Sequence, residues 1–298
     1  MNKIYEEVTN QIISMMEQGI IPWHKPWTGT RSGAISHSTG RPYSLLNQIL
    51  LQIPGEYITW NQCHQEGGHV KKGAKAKHVY FWKLYLKPAV NEDGEPELDD
   101  EGKQKMKKIP VLKSFMVFHI DDCEGIEPKW ADKLPEAPAQ PIEEAEKTLM
   151  AYISREKITL EAEYISNRAY YSPAFDKIVL PRIDQFSETA EYYSTAFHEA
   201  THSTGHPKRL NRFALGGKDA AFGSEEYSKE ELVAEIGAAC ILHQMGIGTP
   251  SSLKNSAAYV QGWLNALKND KQLIIGAAAR AEKAVMMILG KAEEATEE

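Results

Sequence analysis

The sequence predicts an α+β protein of two domains. Three observations carry that expectation: the length, a proline-rich stretch near the middle, and a change of pattern across it. At 298 residues the chain is roughly two domains' worth at about 100–200 residues each. The stretch EPKWADKLPEAPAQPI carries Pro128, Pro135, Pro138 and Pro141 and reads as a stiff linker. We place a first domain at residues 1–128, the linker at 129–141 and a second domain at 142–298. Before the linker, one helix precedes short strands; after it, strands give way to a run of helices.

In chain order, a helix is expected over residues 3–18, where Ile4, Val8, Ile12, Met15 and Met16 follow a 3.6 period and Gly19 stops it. Strands are expected at 57–60 and 78–86. Residues 91–101 hold seven acids in eleven positions, followed by Lys103, Lys105, Lys107 and Lys108. With no apolar period, the insert at about 88–108 reads as a solvated hairpin tip or a disordered segment. IPVLKSFMVFHI then reads as a strand. In the second half a helix is expected at 142–154, followed by strand-like KITLEAEY and AYYSPAFDKIVLP, with Ser172–Pro173 and Asp176–Lys177 as turns. Further helices are expected at 187–204, with Ser187 as cap and Gly205 as stop, and at 228–245, 256–268 and 273–289.

The net charge of −7, taken as an average, argues against a nucleic-acid partner. Its distribution reverses that. Residues 1–90 carry ten basic and five acidic residues, whereas residues 131–298 carry 18 basic and 25 acidic ones. The three cysteines, Cys63, Cys123 and Cys240, form no C-x-x-C pair, as in a reduced cytosolic protein. Glu6 and Glu7 interrupt any signal-like N-terminus, and Arg280, Glu282 and Lys283 interrupt the most apolar late stretch. A cytoplasmic protein without a membrane partner is therefore expected.

The sharpest chemical motif is His198-Glu199-Ala200-Thr201-His202. Residues four apart share a helix face, so both imidazoles can reach one ion. Glu199 is then placed to take a proton from a water that the ion activates. The alternative is an exposed helical turn with no metal, and a third ligand decides between them. A metzincin spacing fails because Lys208 stands where its third histidine belongs, although His206 is near enough to approach. In KEELVAEIGAAC, Glu231 and Glu235 lie four apart amid apolar residues, where unpaired carboxylates are costly. A gluzincin-like arrangement puts one on the metal and the other against a ligand histidine. We favour Glu231 as ligand and Glu235 as the supporting carboxylate. The roles reverse if Ser228-x-x-Glu231 is a capping box.

Trp23, Trp27, Trp60 and Trp82 all fall in the first 90 residues, among Tyr43, Tyr57, Tyr80, Phe81 and Tyr85 and the cluster Lys71, Lys72, Lys75 and Lys77. Rings for bases and lysines for phosphates are what a single nucleic-acid strand requires. The competing reading makes most of these rings core. No zinc finger, basic zipper or convincing helix-turn-helix is visible for reading a duplex.

Several segments carry a resemblance: IIPWHKPW, GRPYSLLNQILL, YITWNQCHQEGGHVKKGAKAKHVYFWK and FMVFHIDDCEG, then YYSPAFDKIVLP, YYSTAFHEATHSTGHPKRLNR, FGSEEYSKEELVAEIGAAC and AAYVQGWLNALKND. In this order they resemble the ArdC-type antirestriction proteins of conjugative plasmids. The resemblance implies an N-terminal single-stranded-DNA-binding domain and a C-terminal zincin-like metallopeptidase domain with an HExxH helix. It implies His198, His202 and the ELVAE segment as ligands of Zn²⁺ or another divalent transition metal, with Glu199 as catalytic acid/base. It further implies protection of incoming plasmid DNA in the recipient cell. Arg41, Tyr43, Lys71, Lys72, Lys75, Lys77 and Trp82 are the candidate DNA contacts. Host restriction proteins or other DNA-associated proteins are the candidate peptide substrates. Two further readings stay open: a metalloprotease that DNA merely delivers to its substrates, and a non-catalytic DNA-binding protein with a structural metal.

Overall fold

In the computed structural model, residues 3–23, 33–91, 95–130, 141–213, 225–248 and 256–291 are described. Trp27 and most of the proline-rich linker lie outside them. The first helix, α1 (Lys3–Glu17), buries Val8, Ile12, Ile13 and Met16 on one face. Gly19 ends it with φ +78°, its amide on the Met16 carbonyl and that of Ile20 on the Met15 carbonyl.

A four-stranded sheet follows, from β1 (Ala34–Ser36), β2 (Gly55–Ile58), β4 (Lys77–Pro88) and β5 (Met106–His119), in the order β1–β2–β5–β4. The β1–β2 pair is parallel and the others antiparallel. The strand expected through residue 60 ends at Ile58, and Trp60 instead opens α3 (Trp60–Gln65). Thr59 is the reason. Its hydroxyl accepts the Gln62 amide while the Gln62 side chain accepts the Thr59 amide, a capping box that turns the chain into a helix. Strands β3 (His69–Val70) and β6 (Cys123–Glu124) pair separately. The acidic insert extends the β4–β5 hairpin, with bridges Val90↔Pro96 and Leu98↔Gln104.

The second half begins with α4 (Pro141–Glu156). Strands β7 (Thr159–Glu161), β8 (Tyr170–Ser172) and β9 (Lys177–Val179) form a small sheet of order β7–β9–β8. The helices α5 (Thr189–Ser203), α6 (Glu225–Gln244), α7 (Ser256–Asn269) and α8 (Leu273–Ile288) complete it. Two expected punctuation marks act differently. Glu188, not Ser187, occupies the start of α5, without a side-chain cap bond. Gly205 is no left-handed stop; a Cβ there would lie 2.8 Å from Phe213, so it is small for packing.

The two halves share one hydrophobic core. Val8, Ile12, Leu46 and Ile49 from the first half belong to the same buried cluster as Leu149, Phe197, Leu232 and Ile274 from the second. The short helix α2 (Leu45–Leu51), buried along its whole length, is the junction. Asn47 exchanges two hydrogen bonds with the Tyr80 backbone at 2.8 and 2.9 Å. Gln48 does the same with Ala34 at 2.7 Å each. These side-chain amides stand in for missing strand partners, which buried backbone groups require. The α2 N-terminus is satisfied from the other half, where Glu282 on α8 accepts the Leu45 amide at 3.0 Å.

Burial pushes the Glu282 carboxyl above its ordinary value, and the bond from Leu45 offsets this only in part. A carboxyl raised in this way binds its proton more tightly in the folded chain than in the unfolded one. Its contribution to stability therefore falls as pH rises through the window above the ordinary carboxylate value. Glu282→Gln keeps the acceptor and removes the titration. Denaturant unfolding should find the variant equal to the parent at pH 4 and more stable at pH 7; parallel pH profiles would contradict this.

Candidate metal centre

Helices α5 and α6 approach closely because Gly237 has no side chain: a Cβ there would lie 2.7 Å from Thr201 Cγ2. His198 and His202, one turn apart on α5, face the gap with Nε2 atoms 3.1 Å from each other. Across it, the two oxygens of Glu231 lie 3.5 Å from His198 Nε2 and 3.3 Å from His202 Nε2. One ligand atom from each of the three residues falls within 4.8 Å of the others, an arrangement that could hold a metal ion. The helix α6 begins at Glu225, three residues ahead of Ser228, so Glu231 lies inside it and not in a capping box.

The outer ring nitrogens are also engaged. Glu235 Oε1 lies 3.5 Å from His198 Nδ1, and Glu230 Oε1 lies 3.5 Å from His202 Nδ1. Carboxylates on the far side of an imidazole fix its tautomer and orientation and strengthen it as a ligand. Glu230 is itself clamped by Arg212, whose Nε and Nη2 donate at 3.0 and 2.6 Å. Arg212 also donates to Thr204 Oγ1 and the Thr201 carbonyl, tying the clamp to the end of α5. Glu199 is buried on the same helix and acts electrostatically on both histidines.

Glu230 and Arg212 were not among the expected site residues. The signal for them is charge balance: three carboxylates within six residues of one helix need more positive charge than two imidazoles supply. His206 is not brought into this group; it sits in the turn after α5, its Nδ1 accepting the Lys208 amide at 3.1 Å.

Burial opposes charge on both histidines, yet the surrounding carboxylates outweigh it. His198 is raised, chiefly by Glu231, and His202 is pushed up to about 10 by Glu230 and Glu231. Burial likewise opposes the charge on Glu231, but the two imidazoles hold its carboxyl below the ordinary range. The pocket thus demands positive charge. A divalent cation on the same three side chains would meet that demand.

The DNA candidates fall on the other half. Arg41 is exposed between β1 and α2. Tyr43 is half-buried, its ring 6.2 Å from that of Tyr57 and 5.9 Å from that of Phe81. Lys71, Lys72 and Lys75 are exposed between β3 and β4, and Lys71 Nζ donates to the Asp121 carbonyl at 2.7 Å. Lys77 opens β4, and Trp82 lies farther along it, exposed.

An HExxH helix packed against a carboxylate-bearing helix and a small sheet defines a zincin-like metallopeptidase domain. Residues 147–280 match the family model described as zincin-like metallopeptidase, and residues 2–118 match that of the N-terminal domain of anti-restriction factor ArdC. The fold is similar to the crystal structure of the antirestriction ArdC protein from plasmid R388. Its metal-free form gives a TM-score of 0.72 at 33% identity, covering 96% of this chain and 97% of that one. Its Mn(II)-bound form gives 0.73 at 31% identity, covering 99% and 100%. The chain belongs to the ArdC antirestriction family. It is also 36% identical over 297 residues to a DNA primase TraC of Escherichia coli and 34% identical to a second. It spans only 19% and 26% of those two proteins' lengths, though 94% of its own.

Because the carboxylates raise both histidines above the ordinary imidazole value, a metal on their ring nitrogens competes with protons for the same atoms. Titration calorimetry in buffers of different ionisation enthalpy should report proton release at pH 7, and a metal affinity that rises as pH is raised above the ordinary imidazole value. Affinity independent of pH would contradict the account.

Proposed function

We propose that this protein binds single-stranded DNA through residues 1–128 and holds a divalent metal, zinc foremost, in residues 142–298. Together these would shield incoming conjugative DNA from restriction in the cytoplasm of a recipient bacterium. The observation that carries the reading is the meeting of His198, His202 and Glu231 on two facing helices, with Glu199 buried beside them. Two imidazole nitrogens and one carboxylate oxygen suit zinc, and three protein ligands are the number found in catalytic sites, whereas structural sites usually close with four. Similarity to an ArdC protein solved with Mn(II) supports a divalent ion as the metal. Matches to DNA primases support a nucleic-acid setting. Among the described residues, no helix is long and apolar enough to cross a membrane.

In this reading His198, His202 and Glu231 hold the ion. Glu235 and Glu230 keep the two rings oriented, with Arg212 fixing Glu230. When bound, the ion supplies Lewis-acid activation of water and of a peptide carbonyl. Glu199 accepts a proton on its carboxylate and returns it to the departing amine. Its burial limits exchange of that proton with bulk solvent. Candidate substrates are host restriction proteins or other proteins on DNA.

Glu199→Ala, compared with the parent for metal content, single-strand binding, peptide hydrolysis and DNA transfer into restricting hosts, tests the proposal. The variant should keep metal and DNA and lose hydrolysis and protection. Protection equal to the parent's would mean that proteolysis is not the working function.

A further inference from the structure

The long β4–β5 ribbon carries a surface that the metal centre does not use. The strands pair over twelve positions, from Lys77↔Val117 to Pro88↔Met106. At the near end Val79, Tyr80, Leu112 and Val117 are buried in the body. Farther out both faces are open, with Leu84 62% and Tyr85 43% exposed. Side chains alternate along each strand, so the register sorts the ribbon into two unlike faces. One holds Trp82, Leu84 and Leu86 opposite Leu112, Pro110 and Lys108. The other holds Phe81, Lys83, Tyr85 and Lys87 opposite Lys113, Val111, Ile109 and Lys107, with Phe115 beyond them.

We propose that this second face is the platform on which the single strand lies, with bases stacked on Phe81, Tyr85 and Phe115 and phosphates met by Lys83, Lys87, Lys107 and Lys113. The inference rests on the single-strand reading above and says where that strand runs. Three observations carry it. First, the two strands contain six lysines and no carboxylate, and among the described residues none of the six forms an ion pair. Second, Lys87 and Lys107 stand directly opposite each other. Like charges so placed destabilise a ladder, and a polyanion reverses the sign of that contact. Third, rings and ammonium groups already interleave: Phe81 and Phe115 lie 5.9 Å apart, Lys83 Nζ sits 5.5 Å above Phe115 and Lys113 Nζ 5.7 Å above Tyr85. A single strand needs both kinds of group at close spacing.

The row has two ends. Towards the body it continues into Tyr43, 5.9 Å from Phe81. Outward it meets the exposed acids Glu95, Glu97, Asp99, Asp100 and Glu101 on the hairpin tip, which repel phosphate and bound the platform. Trp82, an expected DNA contact, lies on the opposite, apolar face.

Anisotropy of a labelled oligothymidine with the full-length protein at two salt concentrations tests the path. Tyr85→Ala should weaken binding roughly fivefold to a hundredfold, the range for losing one stacked base. Lys83→Gln with Lys113→Gln should flatten the salt dependence by about 0.7 for each phosphate no longer neutralised, while Lys83→Arg with Lys113→Arg restores it. Leu84→Ser, on the other face, should bind as the parent does. Thermal melts of each variant separate impaired binding from impaired folding. If the parent binds and the Tyr85 and lysine variants bind equally well, or if Leu84→Ser is the damaging change, the platform is overturned while single-strand binding stands. If the parent binds no oligonucleotide but binds phosphatidylserine vesicles through the same lysines, both the platform and the single-strand reading fall.

Discussion

Everything in the second half depends on holding two imidazoles against three carboxylates across one helix–helix contact. Glu230, Glu231 and Glu235 stand on α6 among buried Leu232, Val233, Ala234 and Ile236, where solvation cannot balance their charge. Uncompensated carboxylates in such a place would be strongly destabilising. His198, His202 and Arg212 supply the compensation, and they reach it only because Gly237 lets α5 come close. The surroundings then hold α5 in place. Tyr152 on α4 hydrogen-bonds Ser203 at 2.8 Å. Arg209, paired with Asp176 in the β8–β9 turn, donates to the Ser203 carbonyl at 2.7 Å.

That centre is not isolated from the N-terminal sheet. The helix α8 packs on both α6 and α2, and α2 carries the amide side chains that complete β1 and β4. The β4–β5 ribbon and the metal ligands therefore rest on a common set of buried residues. A change such as Asn47→Ala, which orphans the Tyr80 backbone, acts on the root of the ribbon and on the shared core together.

Much of this was legible from residue spacing. The HExxH helix and the i, i+4 pair Glu231 and Glu235 follow from helical periodicity alone, and the long strands β4 and β5 follow from their Val, Ile and aromatic content. The short elements were not legible. Helices α2 and α3 hold seven and six residues, too few for a period, and only the Thr59–Gln62 capping box marks α3. The roles of Glu230 and Arg212 depend on a contact between segments 18 residues apart in the chain, which no local pattern encodes. The two faces of the ribbon required its register: Trp82 and Phe81 are neighbours in sequence and look in opposite directions in the fold.

The claim that Glu231 completes the site while Glu235 only supports a ligand is the one most open to direct measurement. Metal content and affinity of Glu231→Ala and Glu235→Ala, measured side by side with the parent, decide it. Glu231→Ala should retain no stoichiometric metal, whereas Glu235→Ala should still bind one ion about 10–100-fold more weakly. Stoichiometric metal in Glu231→Ala, with none in Glu235→Ala, would contradict it.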